Sequence, residues 1–242
     1  WITTMQGGLR MKVSVGDLGK GAIPIYQVPV ATPPKPGGVI MFGDSTTAFR
    51  PGAVQKVYSV RVEEALQGIG SGLSVHNAGI GGSTTRDAIK RLDRDVLQHK
   101  PRIVVMQFGI NDSAVDVWKD PPATAPRVPL AEYLDNIRSL TALVQKSGAR
   151  VILMTTNPIR WTSILRERYG KPPYDPDSGE GFDGPNLAPY NEALRQLAAE
   201  LKVPLVDVRA AYPEYAARQK TDLDGLLLDG MHPNDKGHSL VA

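Results

Sequence analysis

Short unbroken apolar runs alternate along this chain with longer stretches in which apolar residues return every three or four positions. The runs predict strands at Val39 to Phe42, Leu73 to Asn77, Ile103 to Gln107, Val151 to Thr155 and Val203 to Val208. A continuous apolar strand is expected where both faces of a sheet are covered. The stretches between them read as helices. One covers about Val54 to Gly68, with Val57, Val60 and Leu66 facing the core. A second opens at Thr84, where Asp87 completes a capping-box pattern, and carries Ile89, Leu92 and Val96. The third, Leu130 to Lys146, has the clearest face: Leu130, Leu134, Ile137, Leu140 and Val144, with Gly148 placed to end it. The fourth carries Leu187, Tyr190, Leu194, Leu197 and Leu201. Strands alternating with helices at these spacings predict an α/β fold: a five-stranded parallel sheet joined by right-handed crossovers.

Residues 1–37 follow a different rhythm. Leu9, Met11, Val13 and Val15 alternate with Arg10, Lys12 and Ser14, a half-buried strand pattern. Trp1 to Gln6 precede it, and Gly7-Gly8 suits the turn of a β-hairpin. Pro33, Pro34 and Pro36 with Gly37-Gly38 read as a stiff linker. The expected organisation is therefore an N-terminal β extension over 1–37 and one α/β domain over 38–242. Two loops, about Ser113 to Val128 and Pro158 to Gly184, exceed ordinary connections and are expected to be functional lids or walls. The second carries Trp161, Tyr169, Tyr174 and Phe182. No internal repeat is visible.

Composition narrows the picture. The net charge is only +3 over 242 residues, and the basic residues are interspersed with acidic ones. No basic stripe points to nucleic acid. No apolar run has the length of a membrane span. The chain has no cysteine, which excludes disulfides, thiolate catalysis and cysteine-ligated metal. It leaves the compartment open between secreted or periplasmic and cytoplasmic. The chain begins at Trp1 without a signal-peptide pattern, as after removal of a leader or trimming, and it ends soon after a last helix starts, as a shortened C-terminus would.

Four motifs carry candidate chemistry: Gly43-Asp44-Ser45, Asn77 to Gly82, Gly109-Ile110-Asn111-Asp112 and Asp229-Gly230-Met231-His232. The first three follow predicted strands, and the carboxyl ends of parallel strands open onto one sheet edge. Ser45 is the candidate nucleophile, which needs a base to take its proton. The three-residue spacing of Asp229 and His232 suits a carboxylate that accepts the Nδ1 hydrogen and turns Nε2 toward the serine. The Gly82 N–H, the Asn111 side-chain amide and the Ser45 N–H are candidate oxyanion donors. Asn77 and Asp112 are expected to organise their turns. His76 reads as a strand residue, His99 as a helix-end residue and His238 as a helix-face residue; none forms a metal cluster with recognisable spacing. Gly179 to Gly184 spells a dinucleotide pattern but follows a loop and not a strand, so it is rejected. No cofactor is expected.

Taken together and in this order, Gly43-Asp44-Ser45, Gly82, Asn111 and Asp229-x-x-His232 resemble the four sequence blocks of the SGNH, or GDSL-type, hydrolases, from about Gly38 to the C-terminus. The resemblance implies a flavodoxin-like three-layer α/β/α sandwich. It implies a metal-independent serine esterase with Ser45, Asp229 and His232 as triad and Ser45, Gly82 and Asn111 as oxyanion hole. The N-terminal β segment is not part of that family core. The polar and aromatic loops favour a short, acetyl-type acyl group on a small or carbohydrate alcohol, with Trp161 as the candidate substrate-contacting aromatic. Alternatives are a lysophospholipase or thioesterase of the same family, a metal-dependent phosphoesterase using Asp44, Asp112, His76 and His232, and a carbohydrate-binding protein without activity. Sequence does not fix the oligomeric state.

Overall fold

A computed structural model describes residues 2–5, 8–11, 36–178, 182–183 and 186–242. The chain divides into two units, Trp1–Pro33 and Pro34–Ala242. In the first, β1 (Ile2–Met5) pairs antiparallel with β2 (Gly8–Met11), Met5 opposite Gly8. Gly8 thus opens the second strand and is not part of the turn. Gln6, Gly7 and residues 12–35, which include Pro33 and Pro34 of the expected linker, lie outside the described residues.

The second unit is built on β3 (Val39–Gly43), β4 (Val75–Gly79), β5 (Ile103–Gln107), β6 (Arg150–Met154) and β7 (Leu205–Val206). They form one parallel sheet in the order β4-β3-β5-β6-β7. This is the flavodoxin-like order, in which the crevice lies where the chain reverses direction across the sheet, between β3 and β5.

Side chains alternate across the sheet. Ile40 and Phe42 face one apolar layer with Val104, Met106, Val151 and Leu153, while Val39 and Met41 face the other with Val105 and Met154. Helices α1 (Tyr58–Gly68), α2 (Thr85–Asp95) and α3 (Leu130–Lys146) follow the first three sheet strands. The helix α4 (Ser163–Tyr169) lies within the second long connection, and α5 (Leu187–Leu201), α6 (Val208–Gln219) and α7 (Asp235–Val241) complete the set. The first layer packs Ala88 and Leu92 of α2, Ile137, Leu140 and Val144 of α3, and Leu194 and Leu197 of α5. The second packs Tyr58 of α1 and Val208 and Tyr212 of α6, with Leu240 of α7 beside them. Each fully buried aliphatic side chain contributes about 1.5–3 kcal/mol of transfer free energy, so a helix face of three or four is ample to fix a helix on the sheet.

Differences from the sequence pattern have local causes. β4 lies two residues beyond its expected place because its ladder starts where β3 starts: Val75 sits opposite Val39 and Gly79 opposite Gly43. Gly70 and Gly72, both at positive φ, carry the chain from α1 to that point. α1 begins at Tyr58 and not Val54, since the Gln55 and Lys56 N–H groups are donated to the Asp235 carboxylate. β7 is reduced to two residues between Pro204, which has no N–H to give, and Asp207, which accepts the Ala210 N–H and starts α6. α6 was hidden from the sequence pattern by the small residues around Pro213. Ile89, expected to face the core, is 38% exposed on α2.

The two long connections are walls that pack on each other. Val115 and Val117 of the first share an apolar cluster with Ile159, Leu165, Tyr169, Tyr174 and Phe182 of the second. The Tyr174 hydroxyl accepts the Val115 N–H at 2.9 Å, tying them directly. Among the described residues, no helix is long and apolar enough to cross a membrane.

Candidate active site

Ser45 sits in the turn leaving β3. The Asp44 carbonyl accepts the Thr47 and Ala48 N–H groups, and the buried Asp44 carboxylate accepts the Thr46 N–H and hydroxyl at 2.8 and 2.9 Å. This closes the turn so that the next side chain, Ser45, points away from it. Burial pushes the Asp44 carboxyl up, and the bonds from Thr46 only partly offset that. Gly43 is required by proximity: a Cβ there would lie 2.1 Å from the Thr47 hydroxyl oxygen.

His232 comes from the other end of the chain. Its Nε2 lies 3.0 Å from the Ser45 oxygen. Its Nδ1 lies 2.7 Å from Asp229 Oδ2, while Asp229 Oδ1 accepts the Met231 and His232 N–H groups at 3.0 and 2.9 Å. Burial raises the Asp229 carboxyl, but these hydrogen bonds and the imidazole outweigh it and hold the group well below the usual carboxylate range. The loop is pinned from behind. Asn157 Nδ2 donates to the Met231 carbonyl at 2.8 Å, and the Arg160 N–H donates to the Gly230 carbonyl at 2.7 Å. Gly230 has φ +86°, and a Cβ there would lie 2.4 Å from the Arg160 carbonyl, so both conformation and space call for glycine.

The turn after β4 closes the third side. Gly81 approaches Ser45, its Cβ position 3.9 Å from that of the serine, and Gly82 has φ +75°. The Asn111 side-chain amide donates one hydrogen to the Ser83 carbonyl at 3.2 Å, and its oxygen accepts from Arg127 Nη1 at 3.1 Å. Placing the oxygen on a cation fixes which way the amide faces and leaves its second N–H free to serve another acceptor. Thus turns following β3, β4 and β5 and the loop before α7 bring Ser45, Gly82, Asn111, Asp229 and His232 to one edge of the sheet.

Trp161 lies in the aromatic cluster of the second wall, its ring centroid 4.6 Å from Phe182 and 6.4 Å from Tyr174, and its chain neighbours Arg160 and Thr162 bond the carbonyls of Gly230 and Asp229. His76 faces His99, their ring centroids 6.0 Å apart, near the outer strand and away from His232. Among the described residues, no three His, Asp or Glu side chains form a metal-holding group.

Asn77 and Asp112 organise more than their own turns. Asn77 accepts the Gly79 N–H and donates to the Thr47 carbonyl at 2.6 Å, joining the second turn to the serine turn. Asp112 accepts the Thr85 N–H and hydroxyl at 2.8 and 2.6 Å, joining the third turn to α2. Two supports had no signal in the motif pattern. Arg91 of α2 donates to the Gly43 and Ala78 carbonyls at 2.7 and 2.8 Å, with its guanidinium over the Phe42 ring. Arg127 bridges Asn111 and Asp116. Both depend on contacts distant in sequence.

Within the apolar cluster shared by the two walls is a cavity of about 10 Å³ lined by Ile110, Ala114, Ile159, Tyr174, Phe182 and Met231, among others. Ile110 and Met231 are the chain neighbours of Asn111 and His232. That volume accommodates a group of about one water or methyl in size.

Residues 41–240 match the model of the GDSL-like lipase/acylhydrolase family. Lipoprotein YqeF of Bacillus subtilis (strain 168), uncharacterized, is 31% identical over 84% of this chain and 85% of its own length. The isoamyl acetate-hydrolyzing esterase of Saccharomyces cerevisiae is 28% identical over 83% of this chain and 81% of its own. The crystal structure of Axe2, an acetylxylan esterase from Geobacillus stearothermophilus, superposes with a TM-score of 0.65 at 28% identity, covering 87% of this chain and 92% of that one.

Proposed function

This chain belongs to the GDSL-like lipase/acylhydrolase family and is a carboxylic ester hydrolase, and we propose that it cleaves short-chain, acetyl-type esters through a Ser45-His232-Asp229 triad. The observation that carries the reading is the continuous chain of contacts from the Ser45 oxygen through both imidazole nitrogens to Asp229, at 3.0 and 2.7 Å.

His232 takes the hydroxyl proton at Nε2 as the Ser45 oxygen attacks the ester carbonyl. Asp229 holds the ring by its Nδ1 hydrogen and stabilises the imidazolium that forms. The negative charge on the former carbonyl oxygen is met by the N–H groups of Ser45 and Gly82 and the second N–H of Asn111. The tetrahedral intermediate collapses, the alcohol leaves with the proton from His232, and an acyl-serine remains. Water, deprotonated by the same ring, attacks the acyl-serine and releases the acid.

The acetyl preference is supported by the acetate esters named for the yeast and Geobacillus relatives. A carbohydrate alcohol is the favoured partner of the acyl group. Ser45→Ala should lower turnover of p-nitrophenyl acetate by more than about 10³-fold with the melting curve retained, and the wild-type enzyme should hydrolyse the acetate faster than the laurate. Unchanged turnover in Ser45→Ala, or a laurate preference, would refute the reading.

A further inference from the structure

The Asn111 amide is held by opposite demands at its two ends. One Nδ2 hydrogen goes to the Ser83 carbonyl at 3.2 Å, and Oδ1 takes Nη1 of Arg127 at 3.1 Å. A flipped amide would set its oxygen against that carbonyl and its N–H₂ against the cation, losing both bonds. The bond from Arg127 is charge-assisted and the stronger of the two.

Arg127 reaches Asn111 because the first wall returns to its own start. The Arg127 N–H donates to the Ala114 carbonyl at 2.9 Å, and the Val128 N–H to the Asp112 carbonyl at 3.0 Å. The guanidinium is then fixed by the buried Asp116 carboxylate. Nε and Nη2 donate to Oδ1 at 3.0 and 2.7 Å, and Nε also lies 3.1 Å from Oδ2. Lys119 Nζ lies 2.7 Å from the same Oδ2. One edge of the planar fork is spent on Asp116, which leaves Nη1 for the amide. An ammonium group has no such second edge.

With Oδ1 on the cation and one hydrogen on Ser83, the second Nδ2 hydrogen of Asn111 faces neither partner. A cation on an amide oxygen also draws charge from the nitrogen and strengthens its remaining N–H as a donor. We propose that Arg127 is a positioning residue of the ester hydrolysis, keeping the Asn111 amide turned so that this N–H meets the oxyanion. The proposal rests on the esterase reading, in which Asn111 is an oxyanion donor. Arg127 acts through Asn111 and moves no proton.

The test is a mutant cycle on p-nitrophenyl acetate. Arg127→Met is made together with Asp116→Asn, so that no buried carboxylate is stranded in the wall. The pair of changes should lower kcat by about 10- to 100-fold with KM little changed, because oxyanion contacts form only in the transition state. In an Asn111→Ala background the same changes should cost no more than about twofold, since the donor they orient is gone. Asp116→Asn alone still offers Arg127 an acceptor and should lose less. Arg127→Lys keeps a cation on Asp116, and hence the fold, and should lose kcat only while Asn111 is present. Unchanged kcat in the Arg127 variants would overturn the positioning role. So would equal losses with and without Asn111, since that pattern, with a raised KM and a lower melting temperature, belongs to a mere support of the wall. The esterase reading fails by a different result, a Ser45→Ala variant as active as the wild-type enzyme, and the proposal would fall with it.

Discussion

Asp112 and His238 are buried ionisable residues that pull stability in opposite directions over the same pH range. Burial pushes the Asp112 carboxyl up to about 6 against bonds from Thr85 that lower it. A raised acid favours the folded state while it keeps its proton, so its contribution is full below the ordinary aspartate range and is lost as pH rises through 6. His238 accepts the Tyr58 N–H at Nδ1, and burial pushes its ring down to about 4. A lowered histidine favours the folded state while neutral, so its contribution is lost as pH falls from the ordinary histidine range toward 4. Each shift is worth roughly 3 kcal/mol at most, and the two nearly cancel. Asp112→Asn should therefore make the protein lose stability more steeply on acidification. His238→Asn, whose amide oxygen can still accept the Tyr58 N–H, should reverse the slope. Urea midpoints measured between pH 4 and 6.5 read both effects. In the site, Asn111→Ala removes the one side-chain donor of the proposed oxyanion hole and should lower kcat by about 10²–10³ with KM little changed. The candidate side chains were legible in the sequence because their types and spacings are chemically restrictive. Arg91 and Arg127 were not, since an arginine that holds a carbonyl or an amide 48 or 16 residues away has no local signature.

At the level of elements, the apolar pattern was sufficient wherever a segment buries one regular face. Leu130–Lys146 and Ile103–Gln107 fall where the periodicity puts them. It was insufficient where pairing or capping decides the ends: the ladder with β3 sets where β4 begins, and Asp207 converts the expected end of β7 into the start of α6. The two long connections read as polar, aromatic loops, yet they contain α4 and share a small core. The Tyr174 hydroxyl bonds across to the Val115 backbone N–H. Tyr174→Phe should leave the buried Val115 N–H unpaired and cost about 1–3 kcal/mol, seen as a lower melting temperature together with weaker discrimination between acetate and longer acyl esters.

For the whole molecule, the parallel sheet gathers on one edge residues that lie as many as 187 positions apart, Ser45 and His232. The flavodoxin-like strand order opens a crevice between β3 and β5, so the turns carrying Ser45 and Asn111 flank it without further adjustment. The sequence by itself determined the strand and helix alternation, the parallel sheet and the candidates for the reactive groups, because periodic burial and restrictive chemistry are both local properties of a chain. Only the tertiary structure decided the 3.0 Å contact of serine and imidazole, the facing of the Asn111 amide, the size of the cavity within the two walls and, among the described residues, the buried Arg50 Nε without a hydrogen-bond partner. Those are set by register, by packing of the two walls and by which carboxylate reaches which cation. Each is a relation between segments remote in sequence, and no stretch of the chain contains it.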